Sequence, residues 1–198
     1  MYKYVLLNIL AITTFNHAQL NVNLVSNLNQ YPLIKYNDVW GYVDSNGNEY
    51  ALLGVQSGLS VISLIDPANP LEVAFIPGPF SIWRDIKTHS HYAYVTTEGT
   101  SSGTGMQIID LSQLPDTATL VNTYDSTFTS AHNLFIDNGF AYIVGTSAGG
   151  MHLLDLSNPV NPSETSRYGD FLYIHDVYVW NDTAIACAGS SQFYEMVN

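Results

Sequence analysis

SAHNLFIDNGFAYIVGTSAGGMHLLDLSNPVNP, Ser130 to Pro162, decides the reading of this chain, because two related stretches precede it and the start of another follows. Four short elements recur. The first is a polar pair and an aliphatic residue, His132-Asn133-Leu134, with counterparts Asn37-Asp38-Val39, Arg84-Asp85-Ile86 and His175-Asp176-Val177. Counted on the middle residue, the steps are 47, 48 and 43. The second is Phe140-Ala141-Tyr142-Ile143-Val144, matched by Tyr50-Ala51-Leu52-Leu53, Tyr92-Ala93-Tyr94-Val95 and Thr183-Ala184-Ile185-Ala186. The third opens on a glycine and runs apolar to an acid, Gly150 to Asp155, against Gly105 to Asp110 and, with Ser63 in place of the acid, Gly58 to Ser63. The fourth is a proline-bearing exit, Asn158 to Pro162 against Asp66 to Pro70, of which the middle repeat keeps only a displaced Pro115.

Each element is short, rich in β-branched or aromatic residues, and bounded by Gly, Pro, Asn or Asp. That pattern predicts strands. No window holds apolar residues at helical spacing over ten or more positions. Asp137-Asn138-Gly139 and Asn46-Gly47 supply hairpin turns, because Asn and Gly accept positive φ. A unit of about 45 residues with three or four strands has the period of a propeller blade. The fold class is therefore all-β, a β-propeller of repeated four-stranded blades, here incomplete at about three and a half. A β-sandwich with accidental self-similarity is the competing architecture.

Residues 1–18 read as a secretory signal peptide: Lys3 is a positive start, Tyr4 to Phe15 is mostly apolar, and Ala18 precedes a cut at Gln19. That apolar core is shorter than the ~20 residues of a spanning helix; a buried first strand is the other reading. Residues 19–36 form an N-terminal strand and lead-in, with alternation over Leu20 to Leu28. The partial propeller occupies 37–198, with blades at about 37–77, 80–124, 129–168 and 173–198. Pro77-Gly78-Pro79 is a hinge, and Glu98 to Gly105 a flexible loop between the second and third strands of blade two. The last blade shows two strands. Open blade faces bury apolar surface only against neighbours, so the chain is expected to be a fragment of a longer protein, or else a dimer that closes the ring.

Seventeen acidic residues against five basic give a net charge of −12. That charge disfavours nucleic acid and anionic lipid as partners, and with no further apolar span in the sequence no membrane insertion is expected once the signal is removed. Cys187 is the single cysteine, so neither an internal disulfide nor a zinc cluster is available; its apolar strand predicts a buried, inert thiol.

Ser81 to Lys87 (SIWRDIK), Gly105 to Leu111 (GMQIIDL), Ala131-His132-Asn133 and His175-Asp176 together resemble the choice-of-anchor B family, secreted bacterial β-propellers with LVIVD-type repeats. Tyr36 to Gly54 resembles that family's first blade, and the likeness runs from Asn21 to Ala188. The resemblance implies a secreted protein, extracellular or on the outer surface of a bacterial cell. It brings no established reaction.

Arg84, His132 and His175 share one repeat position, and Asp85, Asn133 and Asp176 the next, as does Asp38. If that strand is innermost, these residues line one mouth of a central channel and form a ligand site for an anion, a sugar or a metal. The alternative is that they bond to neighbouring blades and fix their register. Asp110 and Asp155 close turns; a calcium site would need a denser Asp/Asn/Gly loop, so no cofactor or metal is assigned. His89 and His91 flank a hairpin turn. Trp40, Trp83 and Trp180 read as core or inter-blade packing. No Gly-x-Ser-x-Gly elbow and no glycine-rich phosphate loop is present, so no catalytic residue is named. The expected function is a binding or scaffold module for a protein or glycan at the cell surface. The rivals are a glycan- or ester-acting hydrolase using the His/Asp/Arg ring, and a purely structural surface protein.

Overall fold

The computed structural model describes residues 23–100, 104–169 and 173–188, and the backbone of 192–197. The signal peptide read over 1–18 lies outside the described residues. Fifteen strands and no helix stand among the described residues. The first sheet holds β1 (Tyr36–Val43), β2 (Glu49–Val55), β3 (Gly58–Ser63) and β4 (Leu71–Pro77); the second holds β5 (Ile86–His89), β6 (Tyr92–Thr96), β7 (Met106–Asp110) and β8 (Thr119–Tyr124). The third holds β9 (Asn133–Asp137), β10 (Phe140–Val144), β11 (Met151–Asp155) and β12 (Ser163–Tyr168). The fourth holds β13 (Ile174–Trp180), β14 (Thr183–Ala188) and β15 (Gln192–Val197). Every sheet is an antiparallel meander in chain order, consistent with a β-propeller-like fold.

Period-two alternation builds one apolar layer between each pair of successive sheets. On β6, Ala93 and Val95 face the first sheet and meet Tyr50, Leu52, Leu59 and Val61, while Tyr94 faces the third. On β10, Ala141 and Ile143 turn back toward Met106 and Ile108 of the second sheet. Val144 instead joins Val177, Val179 and Ala186 of the fourth. The repeated Ala of the second strand thus faces the preceding sheet, and its larger neighbour the following one. Full burial of one such aliphatic side chain contributes ~1.5–3 kcal/mol, so these three layers hold the sheets together.

The glycine that opens the third element has a steric cause. A Cβ on Gly105 would lie 2.2 Å from the Tyr124 carbonyl oxygen, and one on Gly150 2.5 Å from that of Tyr168. Both also take positive φ, 106° and 73°, where a side chain is strained. Asn138 and Gly139, at φ 46° and 80°, form the two-residue turn read from the sequence.

Three expectations need correction. The alternation over Leu20 to Leu28 forms no strand in its described part, 23–28; polar Asn and Ser occupy its other face, and no sheet edge pairs with it. Instead the lead-in lies against the first sheet, with Tyr31 stacked on Phe75 and its hydroxyl 2.5 Å from Glu72. The fourth sheet has three strands rather than two, because Gln192–Val197 pairs along the whole of β14. Cys187 is half-buried, not buried: Ala184, Ala186 and Ala188 take the core-facing positions, which turns Cys187 to the opposite face.

Candidate functional site

The first strand of each sheet is an edge strand, so one row of its backbone N–H groups has no ladder partner. The repeated acid of the preceding sheet supplies one. Asp38 Oδ2 accepts the N–H of Ile86 at 3.0 Å, and Asp85 Oδ2 that of Leu134 at 3.1 Å. At the third boundary the residue is Asn133, and its amide donates instead to Asp176 Oδ1 at 3.0 Å. Asn37 adds a second tie, accepting the N–H of Arg84 at 3.0 Å and donating to the Ile82 carbonyl. The polar pairs therefore join sheets.

Repeat equivalence does not give Arg84, His132 and His175 equal surroundings. Arg84 is 2% exposed. Its Nε donates to Val55 O at 3.2 Å and its Nη2 to Pro79 O, whereas Nη1 and the nearby Gln107 Oε1 are buried without a hydrogen-bond partner among the described residues. Gly78 makes room there: a Cβ on it would fall 2.8 Å from Nη1 and 2.7 Å from Oε1. Burial lowers the Arg84 pKa to about 10. This guanidinium is turned inward, and the mouth position read for it is not where its charge lies.

Beside these joints is a polar depression of about 200 Å³ lined by Asn37, Asp38, Trp83, Asp85, His132 and Asn133, with Arg84 at its wall. Lys87 Nζ stands 2.9 Å from Asp85 Oδ1 and 3.9 Å from Asp38 Oδ2. Burial, then the contact with Asp38, pushes the Asp85 carboxyl up to about 7; Lys87 and the Leu134 N–H pull the other way without prevailing. A second carboxyl group beside it in a desolvated place opposes the ionisation of Asp85.

His132 and His175 do come together, ring centroids 4.4 Å apart. His132 Nδ1 lies 2.6 Å from Glu98 Oε1. Trp83 flanks the His132 ring at 5.6 Å and Tyr173 at 6.5 Å, and Tyr173 also approaches His175 at 6.4 Å. Trp83 is 50% and Tyr173 51% exposed, with Phe80 and Ile82 exposed on the same segment as Trp83. The result is an aromatic rim with an acid–imidazole pair at its centre.

Trp83 is therefore half open to solvent rather than core, and Trp180 is more exposed still, at 69%. Trp40 does pack between sheets, its Nε1 donating to Thr88 and its ring lying under Lys87. Asp110 and Asp155 close turns by accepting the N–H groups of Ser112 and Ser157. His91 packs on Tyr92 at 4.2 Å. Among the described residues, no group of three or more His, Cys, Asp or Glu is arranged to hold a metal ion.

Sequence reasoning missed Glu98 and Tyr173, and also a buried cluster on β11. There His152 meets Glu164 at 2.8 Å through Nδ1 and Thr146 at 3.0 Å through Nε2. The available signal for Glu98 was its place as the one charged residue of the EGTSSGTG loop. His152 shares its repeat position with Ser60 and Gln107, and in all three sheets the side chain there is buried and polar.

No curated protein matches the chain. Residues 129–170, the third sheet with its lead-in, match the model of the LVIVD repeat, a repeat family found in β-propeller proteins.

Proposed function

We propose that this chain is part of a secreted β-propeller of the choice-of-anchor B kind and acts outside the cell as a binding module, through the rim formed by Trp83, His132, Tyr173 and His175. The observation that carries this reading is the exposure of two aromatic rings beside one part-buried acid–imidazole pair. Exposed aromatic side chains offer large contact area at low entropic cost. The propeller reading is supported by the LVIVD match and by the packing: β1, β5, β9 and β13 lie beside one another, as strands around a common axis would. Secretion rests on the signal-like residues 1–18.

The Asp and Asn residues that a hydrolase would use are engaged by backbone and side-chain groups of adjacent sheets, which favours binding over catalysis. The test is co-sedimentation of the full mature chain with envelope fractions of the producing cells. Wild type pellets with the envelopes, and Trp83→Ala and Tyr173→Ala stay in the supernatant with unchanged melting temperatures. Equal pelleting of both variants and wild type would remove the rim from the account.

A further inference from the structure

We infer that the rim recognises an uncharged saccharide, an inference that rests on the rim being the binding face. Sugar rings present C–H faces that pack on aromatic faces, and hydroxyls that need polar partners beside them. The rim supplies both at once. Trp83 and Tyr173, each half exposed, both approach the His132 ring, and Glu98 with His132 places a carboxylate and an imidazole beside them. A hydroxyl donating to a carboxylate makes one of the stronger hydrogen bonds available to a neutral ligand.

The charges select against an anionic ligand. Glu98, Asp38, Asp85 and Asp176 are acids of this region; of the cations beside them, Lys87 pairs with the two aspartates, and Arg84 is buried with Nε and Nη2 on carbonyls. With a chain charge of −12, a uronic or sulfated polymer would meet repulsion. A peptide partner fits less well. Apolar anchors of peptides seat in desolvated pockets, and the depression beside the rim is lined mainly by Asn37, Asp38, Asp85 and Asn133, which give an apolar anchor little to pack on.

The test is native affinity electrophoresis of the full mature chain in gels containing hydroxyethylcellulose, xyloglucan or galactomannan, with alginate as the anionic comparison, at low and high salt. The expected result is retardation by at least one neutral polymer, insensitive to salt, and none by alginate. Trp83→Ala and Tyr173→Ala weaken it by about tenfold or more, the scale of an aromatic anchor, whereas Trp180→Ala, exposed but away from the rim, leaves it intact. Migration unaffected by every neutral polymer overturns the saccharide inference, as does retardation that persists in both rim variants. If those polymers fail while the rim variants still lose envelope binding, the rim stands and its ligand is a protein; if envelope binding is also indifferent to them, the rim fails as well.

Discussion

The Asp85 carboxylate crosses from the second sheet to the third and accepts the backbone N–H of Leu134, 3.1 Å away and 49 residues further along the chain. Asp38 makes the same bond to Ile86 one sheet earlier. In the first two repeats one acid thus fixes how far the next sheet slides along its neighbour, through an edge-strand N–H; that of Ile86 is shared with Asp85 Oδ1 at 3.0 Å. The joint is a polar pin set beside an apolar layer: Leu134 itself is buried among Tyr94, Ile108 and Ile143.

Replacing Asp85 with Ala leaves a buried N–H unpartnered and frees Lys87. The expected cost is about 1–3 kcal/mol, read as a melting temperature lower by about 2–4 °C per kcal/mol for a domain of this size. An unchanged transition would show that the bond carries no register.

Asp85 also predicts a pH dependence. Its folded pKa is raised to about 7 by burial and by Asp38, above an unfolded value of about 3.9. A raised carboxyl favours folding most below the unfolded value, and that contribution is lost as pH rises through about 7. Urea unfolding of wild type and Asp85→Asn between pH 4 and 8 should therefore diverge, wild type losing ground as pH rises. Parallel profiles would contradict the assignment.

Gly150→Ala should cost about 1–3 kcal/mol, the range for forcing atoms into a packed place, because its methyl would collide with the Tyr168 carbonyl oxygen at 2.5 Å. Gly139→Ala tests the specificity of that cause. It shares positive φ but meets nothing within 4 Å, so it should cost about 1 kcal/mol from backbone strain alone. Equal losses would remove the close approach as the reason for the repeated glycine.

The His152–Glu164 contact should make the third sheet acid-sensitive. Burial pushes the Glu164 carboxyl up, but hydrogen bonds with Thr127 and His152 outweigh it and hold it below the ordinary range. Its contribution is present above the unfolded value of about 4.3 and lost as pH falls through the lower folded one. His152→Ala should cost roughly 2–4 kcal/mol at pH 7, from a cavity and unpartnered polar groups, and the gap to wild type should narrow at pH 3. A gap independent of pH would mean that packing alone is at work.

The strands were legible because the repeat writes its core twice over. Ala141 and Tyr142 alternate in the sequence as they alternate between the two faces of β10. The fourth strand of the third sheet was harder to see: Ser163–Tyr168 reads SETSRY, polar at nearly every position, and pairs through its backbone at the outer edge. Position in the repeat placed Arg84 with the histidines, yet its neighbours differ. Gly78 leaves room for the guanidinium to fold inward, where a histidine at the same place stacks on another ring. Glu98 was hidden because its partner His132 lies 34 residues away in the next sheet, a distance no local pattern spans.

The central claim is a division of labour: the inner-strand acids hold sheets in register, and the rim aromatics bind. One paired measurement tests it, melting temperature and envelope binding on the same preparations of wild type, Asp85→Ala and Trp83→Ala at pH 7. The account predicts that Asp85→Ala melts lower and still binds below its transition, whereas Trp83→Ala melts like wild type and no longer binds. Binding lost in Asp85→Ala with its melting temperature intact, or retained in Trp83→Ala, would contradict it.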